Sequence, residues 1–543
     1  MRSRRPLRAL GLVVAAVVVT GCGLVSPPTS TDRTSAPTSS APTATRTASP
    51  SPTPAPTPAG RPPGTDSTRR PLATVPDVRP AGFTVPPPGS GTSRYTRQPV
   101  DWTDCGRGVQ CASVLVPLDW SKPDGQAITL AMARRPSTAP RPKGTLFVNP
   151  GGPGGSGIDL VRGFAPPGLG AYTIVGWDPR GVGESTPVEC ENGTAMDRYT
   201  AIDSSPDSAA ETRAWIQANY TFGRSCLARS GALLEHISTT DTVRDLDLLR
   251  QLMRSPKLDY LGFSYGTAIG ARYAQLFPKN VGRMVLDGAV SLGSGGVSQA
   301  VGFDRSLTDF ADWAARNDSA LGGSREAVLD AITGLWDRLD ATPLAIPDGR
   351  PLTQTLAVTG TISLLYENAE GYRVLDTALT RAVRGDGRAL RSLADQFNRR
   401  NSDGSYGQLN YAFPAIRCLD GRDGGVQGAL AGWRADRRDA STFGKYFGPD
   451  FTCPTWPVAA RPGPTGSPDA KGAAPILVVG TTRDPATPYE QAEAMARQLD
   501  SGRLLTLRGE GHLAYDQSAC IRARVDAYLV SGTLPPTGTV CTS

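Results

Sequence analysis

Apolar and polar positions along the 543-residue chain follow two regimes. Short, nearly unbroken apolar runs occur at 144–148, 172–177, 258–263, 283–286, 475–479 and 503–507. Runs of this length, separated by helix-like segments, predict strands of a mostly parallel sheet with helices on both faces, an α/β fold. Between the fourth and fifth runs the spacing becomes helical. Val328, Leu329, Ile332, Leu335, Trp336 and Leu339 share one helix face. Tyr372, Leu375, Leu379 and Val383, then Leu390, Leu393 and Phe397, continue the pattern around a break at Gly385-Asp386-Gly387. Such a stripe reads as core packing. The pattern predicts a large helical insertion over 291–472, flanked by core segments over 93–290 and 473–543. A helical block at that point in the chain falls over the strand carboxyl ends, where open α/β sheets bind ligands. It is expected to be a cap.

The first 92 residues obey neither regime. Arg2, Arg4, Arg5 and Arg8 precede an apolar stretch over 10–19 that is too short to span a bilayer stably. This reads as a signal peptide over 1–21. Val19-Thr20-Gly21-Cys22 resembles a bacterial lipobox, which implies a lipid on Cys22 and a lipid-anchored chain on the outer face of the cell membrane. Residues 22–92 are rich in Pro, Ser and Thr and hold too little apolar surface to offset ordering entropy. They read as a semi-rigid stalk. Charge follows the same division. The net charge of +7 comes from the four leader arginines and from six arginines against three aspartates in the stalk. The rest is near neutral, so nothing indicates a nucleic-acid partner.

Of nine cysteines, eight remain once Cys22 is set aside: Cys105, Cys111, Cys190, Cys226, Cys418, Cys453, Cys520 and Cys541. An even count in an exported chain indicates disulfides, and connectivity does not follow from sequence. The expectation is pairing in sequential order. Zinc is disfavoured, because no pair has C-x-x-C spacing and the chain has only two histidines.

The chemistry begins at Gly262-Phe263-Ser264-Tyr265-Gly266. The pentapeptide alone is common in a Gly- and Ser-rich chain. Here it closes an apolar run and opens a helix-like one, the setting that lifts a serine hydroxyl clear of the backbone as a nucleophile. The Tyr265 N–H then faces a developing oxyanion. A serine needs a base. His236 lies among apolar residues and reads as structural. His512 lies in the glycine-flanked loop Gly509-Glu510-Gly511-His512 after the last strand, where a base belongs. Asp484, at the end of the preceding strand, is the candidate to orient the imidazole. Thr487 is a candidate to orient Asp484. Asn149-Pro150-Gly151-Gly152-Pro153-Gly154 follows the first strand and lacks the lysine of a phosphate loop. Gly152 is its candidate oxyanion donor.

These segments resemble secreted tripeptidyl aminopeptidases of actinobacteria and proline-iminopeptidase-like hydrolases. Trp177-Asp178-Pro179-Arg180-Gly181-Val182-Gly183-Glu184-Ser185 is similar to their D-x-R-G-x-G-x-S segment. Ala415-Ile416-Arg417-Cys418-Leu419-Asp420 is similar to a cap motif. Asn149 or Pro150 stands where a histidine is usual. The resemblance implies an α/β-hydrolase fold and a monomeric, cofactor-independent serine exopeptidase that removes tripeptides from free N-termini of peptide or protein substrates. Such an enzyme must read an ammonium with a negative group, and Asp420, Glu367 and Glu370 are the candidates. The alternative is a carboxylesterase or lipase acting on envelope lipid esters, since the same triad cleaves esters.

Overall fold

The computed structural model describes residues 72–291, 297–421, 424–464 and 469–542. The leader, Cys22 and most of the stalk lie outside the described residues. Nine strands carry the sheet: β1 (Gln110–Pro117), β2 (Ala127–Arg135), β3 (Gly144–Asn149), β4 (Tyr172–Trp177), β5 (Leu258–Phe263), β6 (Val281–Asp287), β7 (Ile476–Arg483), β8 (Gly502–Glu510) and β9 (Val540–Thr542). Their order is β9-β8-β7-β6-β5-β3-β4-β2-β1, with two further two-residue strands at the β1–β2 end. Pairing is parallel from β4 through β9, and β2 joins β4 and β1 antiparallel.

All six apolar runs form strands because each is buried on both faces. In β3, Phe147 enters one core cluster while Leu146 and Val148 enter another. In β7, Ile476 and Val478 alternate in the same way with Leu477 and Val479. One sheet face is covered by α4 (Thr239–Leu252) and α5 (Tyr265–Leu276), which follow α2 (Thr194–Ala201) and α3 (Ala209–Ser230). The other is covered by α1 (Gly157–Gly163) and the C-terminal helix Ala519–Ser531.

The insertion is helical and splits in two. The helices α6 (Gln299–Arg316), α7 (Arg325–Ala341), α8 (Gln354–Leu365), α9 (Ala369–Val383) and α10 (Arg388–Phe397) build a separate core with Phe443, Tyr446 and Phe447. The expected stripe Val328, Ile332, Leu335, Trp336 and Leu339 lies in that core, whereas Val383 is exposed. The helix α11 (Leu409–Asp420) instead joins the sheet-side core through Ala412, Ala415, Ile416 and Leu419, as do Trp456 and Val458. The disulfides pair sequentially: Cys105–Cys111, Cys190–Cys226, Cys418–Cys453 and Cys520–Cys541. Among the described residues no helix is long and apolar enough to cross a membrane.

One buried ion pair ties the sheet to its helices. Arg180 and Asp245 both have fully buried side chains. Arg180 donates Nε to Asp245 Oδ2 and Nη2 to Asp245 Oδ1, each at 2.7 Å. It also donates to the carbonyls of Pro117, Leu118 and His236. These five bonds satisfy the guanidinium's whole donor capacity, so the charge is buried with compensation on every side. Asp245→Ala would leave that cation buried and unpaired, with an expected loss of about 3–5 kcal/mol in urea denaturation. A loss below about 1 kcal/mol, the range of exposed pairs, would contradict the buried placement.

Candidate active site

Ser264 caps α5 with φ +53° and ψ −125°. That conformation is costly for a residue with a Cβ, by roughly 1–3 kcal/mol, and persists only where its surroundings enforce it. The enforcement is visible. Ser264 N–H donates to the Asp287 carbonyl at 2.8 Å. The Ser264 carbonyl accepts from Thr267 N–H at 2.8 Å and Thr267 Oγ1 at 2.6 Å. A Cβ on Gly262 would lie 2.5 Å from the Gly266 carbonyl oxygen, so β5 and α5 cross too closely there for any side chain.

The loop after β3 packs on this turn. Gly151 has φ +91°, and a Cβ there would lie 2.4 Å from the Phe263 carbonyl oxygen and 2.8 Å from Tyr265 N. Asn149 Oδ1 accepts the Gly151 N–H at 2.9 Å. Among the described residues no acceptor takes the N–H of Gly152 or Tyr265. Two backbone donors flanking the elbow therefore remain unused, as an oxyanion site requires.

His512 and Asp484 meet as their spacing predicts. His512 Nδ1 lies 2.9 Å from both Asp484 oxygens, and both side chains are buried. The carboxylate beside Nδ1 requires the proton there, which leaves Nε2 as the basic nitrogen. Asp484 is itself held. Its Oδ1 accepts from the N–H groups of Ala486 and Thr487 at 2.9 and 2.8 Å. Its Oδ2 accepts from Thr487 Oγ1 at 2.9 Å. The His512 N–H donates to the Tyr366 carbonyl at 2.8 Å, and the Tyr366 ring stands edge-on to the imidazole. A Cβ on Gly288 would lie 3.3 Å from His512 Cε1. The imidazole thus sits over the end of β6, whose Asp287 carbonyl holds Ser264.

Of the acidic candidates for reading an ammonium, Asp420 is already bonded within the protein. Its carboxylate is buried and accepts from both the N–H and the hydroxyl of Thr239 at the start of α4. The same Thr239 hydroxyl meets the Tyr265 hydroxyl. These bonds place Asp420 at the start of a helix under the elbow. Glu367 follows α8, is exposed, and its side chain makes no hydrogen bond among the described residues. Crowding by protein raises its pKa, the charge of Glu370 adds to the rise, and His512 opposes it. Glu370 is also exposed. Asp287 joins the site without a role expected from its sequence. It is fully buried and accepts from the N–H groups of Tyr515 at 2.8 Å and Ala514 at 3.1 Å, tying the histidine loop to β6. The available signal was an acid closing the apolar run Met284-Val285-Leu286-Asp287.

This architecture and site define an α/β-hydrolase. A family model described as alpha/beta hydrolase fold matches residues 144–347, and one described as TAP-like protein matches 440–541. The chain is 35% identical to serine protease Hip1 of Mycobacterium tuberculosis over 494 residues, covering 82% of this chain and 91% of that protein. It is 33% identical to a tripeptidyl aminopeptidase of Streptomyces lividans, covering 83% and 88%. It is 35% identical to carboxylesterase B of Mycobacterium tuberculosis, covering 80% and 86%. The chain belongs to the TAP-like α/β-hydrolase family.

Burial pushes the Asp287 carboxyl up to about 7, against the pull of the Tyr515 and Ala514 N–H groups. The folded state therefore holds this proton more tightly than the unfolded chain, whose aspartates titrate near about 4. The linked stability is full below about pH 4 and is lost as pH rises through about 7. Asp287→Asn removes the titration. The melting temperature of wild type should fall relative to the variant between about pH 4 and about pH 7. Parallel pH curves would show that Asp287 does not titrate there.

Proposed function

We propose that this chain is a serine exopeptidase of the cell envelope that removes short peptides, tripeptides foremost, from free N-termini. The observation that carries the reading is the buried Asp484–His512 pair standing over the strand end that holds Ser264. Ser264 Oγ attacks the scissile carbonyl carbon while His512 Nε2 takes the hydroxyl proton. The N–H groups of Gly152 and Tyr265 hold the oxyanion. Collapse breaks the C–N bond, and the leaving amine receives the proton from His512. Water, deprotonated by the same nitrogen, then releases the acyl group from Ser264. Asp484 holds the imidazole, and Thr487 holds Asp484.

Glu367 supports an amine-reading role, since its side chain has no hydrogen-bonding partner among the described residues and lies close enough to His512 to feel its charge. Glu370 adds negative charge beside it. The relatives named a serine protease and a tripeptidyl aminopeptidase agree with peptide substrates. Carboxylesterase B, equally similar, favours the alternative of an esterase acting on envelope lipid esters. A free-amine tripeptidyl fluorogenic amide, its N-acetylated twin and a short-chain aryl ester separate the two. The expected result is cleavage of the free-amine amide, weak or no cleavage of the acetylated one, and loss of about four to six orders of magnitude in kcat for Ser264→Ala. Turnover of the ester with neither amide cleaved would overturn the peptidase reading.

The envelope location rests on the leader, the lipobox-like Val19-Thr20-Gly21-Cys22 and the Pro/Ser/Thr-rich segment after it. In this reading the lipid on Cys22 anchors a monomeric enzyme outside the membrane, with the stalk as spacer. Cys22→Ala should move the protein from the membrane fraction to the soluble fraction and abolish labelling by an alkyne fatty acid. Unchanged membrane retention and labelling would refute lipidation at Cys22.

A further inference from the structure

A cavity of about 540 Å³ opens beside the loop that carries Gly152. Pro150, Gly154 and Gly155 of that loop form one wall, and Arg399, Asn401 and Gln408 form another. Among the described residues the charged groups lining it are paired, with one exception. Asp159 on the cavity wall bonds Arg162, and Arg162 also reaches Glu184. Arg400 bonds Asp197 through Nε at 2.6 Å and Nη2 at 3.1 Å. Arg399 has no carboxylate within ion-pair distance among the described residues, and its side chain makes no hydrogen bond there. Asp159 acts on it only at longer range, while burial disfavours its charge.

The base of Arg399 is fixed. It occupies φ +52° in the turn between α10 and α11, its N–H donates to the Gln396 carbonyl, and its carbonyl accepts from Gly407 N–H. An arginine stays charged in a protein. A half-buried guanidinium without a partner has lost water and gained nothing in return. A planar carboxylate is the group whose geometry matches its fork of donors.

We propose that this cavity is a substrate subsite in which Arg399 receives a carboxylate of the peptide, either an acidic side chain or the free C-terminus. The assignment rests on the peptidase reading above and gives that enzyme a preference it would otherwise lack. A neutral side chain would leave the guanidinium as it is in the empty enzyme, whereas an acidic one would complete its bonding. Asp159 does not oppose this, because Arg162 neutralises it.

Binding to the Ser264→Ala protein, which cannot be acylated, tests the subsite independently of turnover. Calorimetry would compare tripeptides carrying Glu or Gln at each position in turn, and a dipeptide with a free or an amidated C-terminus. The expected result is about tenfold tighter binding of the acidic member of one pair. That ratio should fall to about one in Ser264→Ala/Arg399→Gln and take an intermediate value with Arg399→Lys. The position that responds tells a side-chain carboxylate from a C-terminal one. No acidic preference with Arg399 intact, or a preference that survives Arg399→Gln, overturns the proposal. Arg399→Lys keeps the charge and carries the test if the glutamine variant does not fold. Failure of amide hydrolysis would count against the peptidase reading alone, because binding is read in a protein that does no chemistry.

Discussion

The left-handed backbone at Ser264 is the constraint around which the rest of the site is arranged. A serine does not rest there by preference. It is held by strand β6 through the Asp287 carbonyl, by α5 through Thr267, and by the β3 loop pressing Gly151 against it. Apart from the Thr267 hydroxyl, each contact is backbone against backbone, and at Gly151 there is no room for a side chain. Small shifts in β3, β5 or β6 therefore reach the hydroxyl directly. The buried Arg180–Asp245 pair acts on the same assembly from outside, since it joins the segment after β4 to α4. The start of α4, at Thr239, touches the Tyr265 side chain.

Much of this was legible in the sequence because parallel strands buried on both faces leave an unmistakable apolar run. β3 through β8 coincide with such runs. β1 does not, because it lies toward the antiparallel end of the sheet and carries the exposed Ser113, whereas β2 holds a comparable run at 127–133 that its pattern alone does not assign to an antiparallel place. β9 has only three residues. The insertion was legible as helices but not in its division, since apolar periodicity says that a face is buried and not against what. Thus α11 resembled its neighbours and yet joins the sheet-side core.

Among site residues, Ser264, Asp484 and His512 were legible because each sits at a position defined along the chain, a turn or loop just past a strand. Asp287 and Asp420 were not, because their roles depend on partners 227 and 181 residues away. An acid in a sequence carries no mark of whether it will meet solvent, a ligand or the N–H groups of a distant loop. The structure divides the three acids expected to read an amine on that ground: Asp420 is consumed, while Glu367 and Glu370 remain exposed.

The hydrogen bond from the His512 N–H to the Tyr366 carbonyl crosses from the core to the insertion. Tyr366 is the residue at which α8 ends. Any displacement of α8 at this point would withdraw that hydrogen bond and the Tyr366 ring from the histidine loop, so the insertion and the place of the imidazole are coupled. The insertion thus helps to hold the histidine loop, and changes in its helices reach the imidazole through Tyr366.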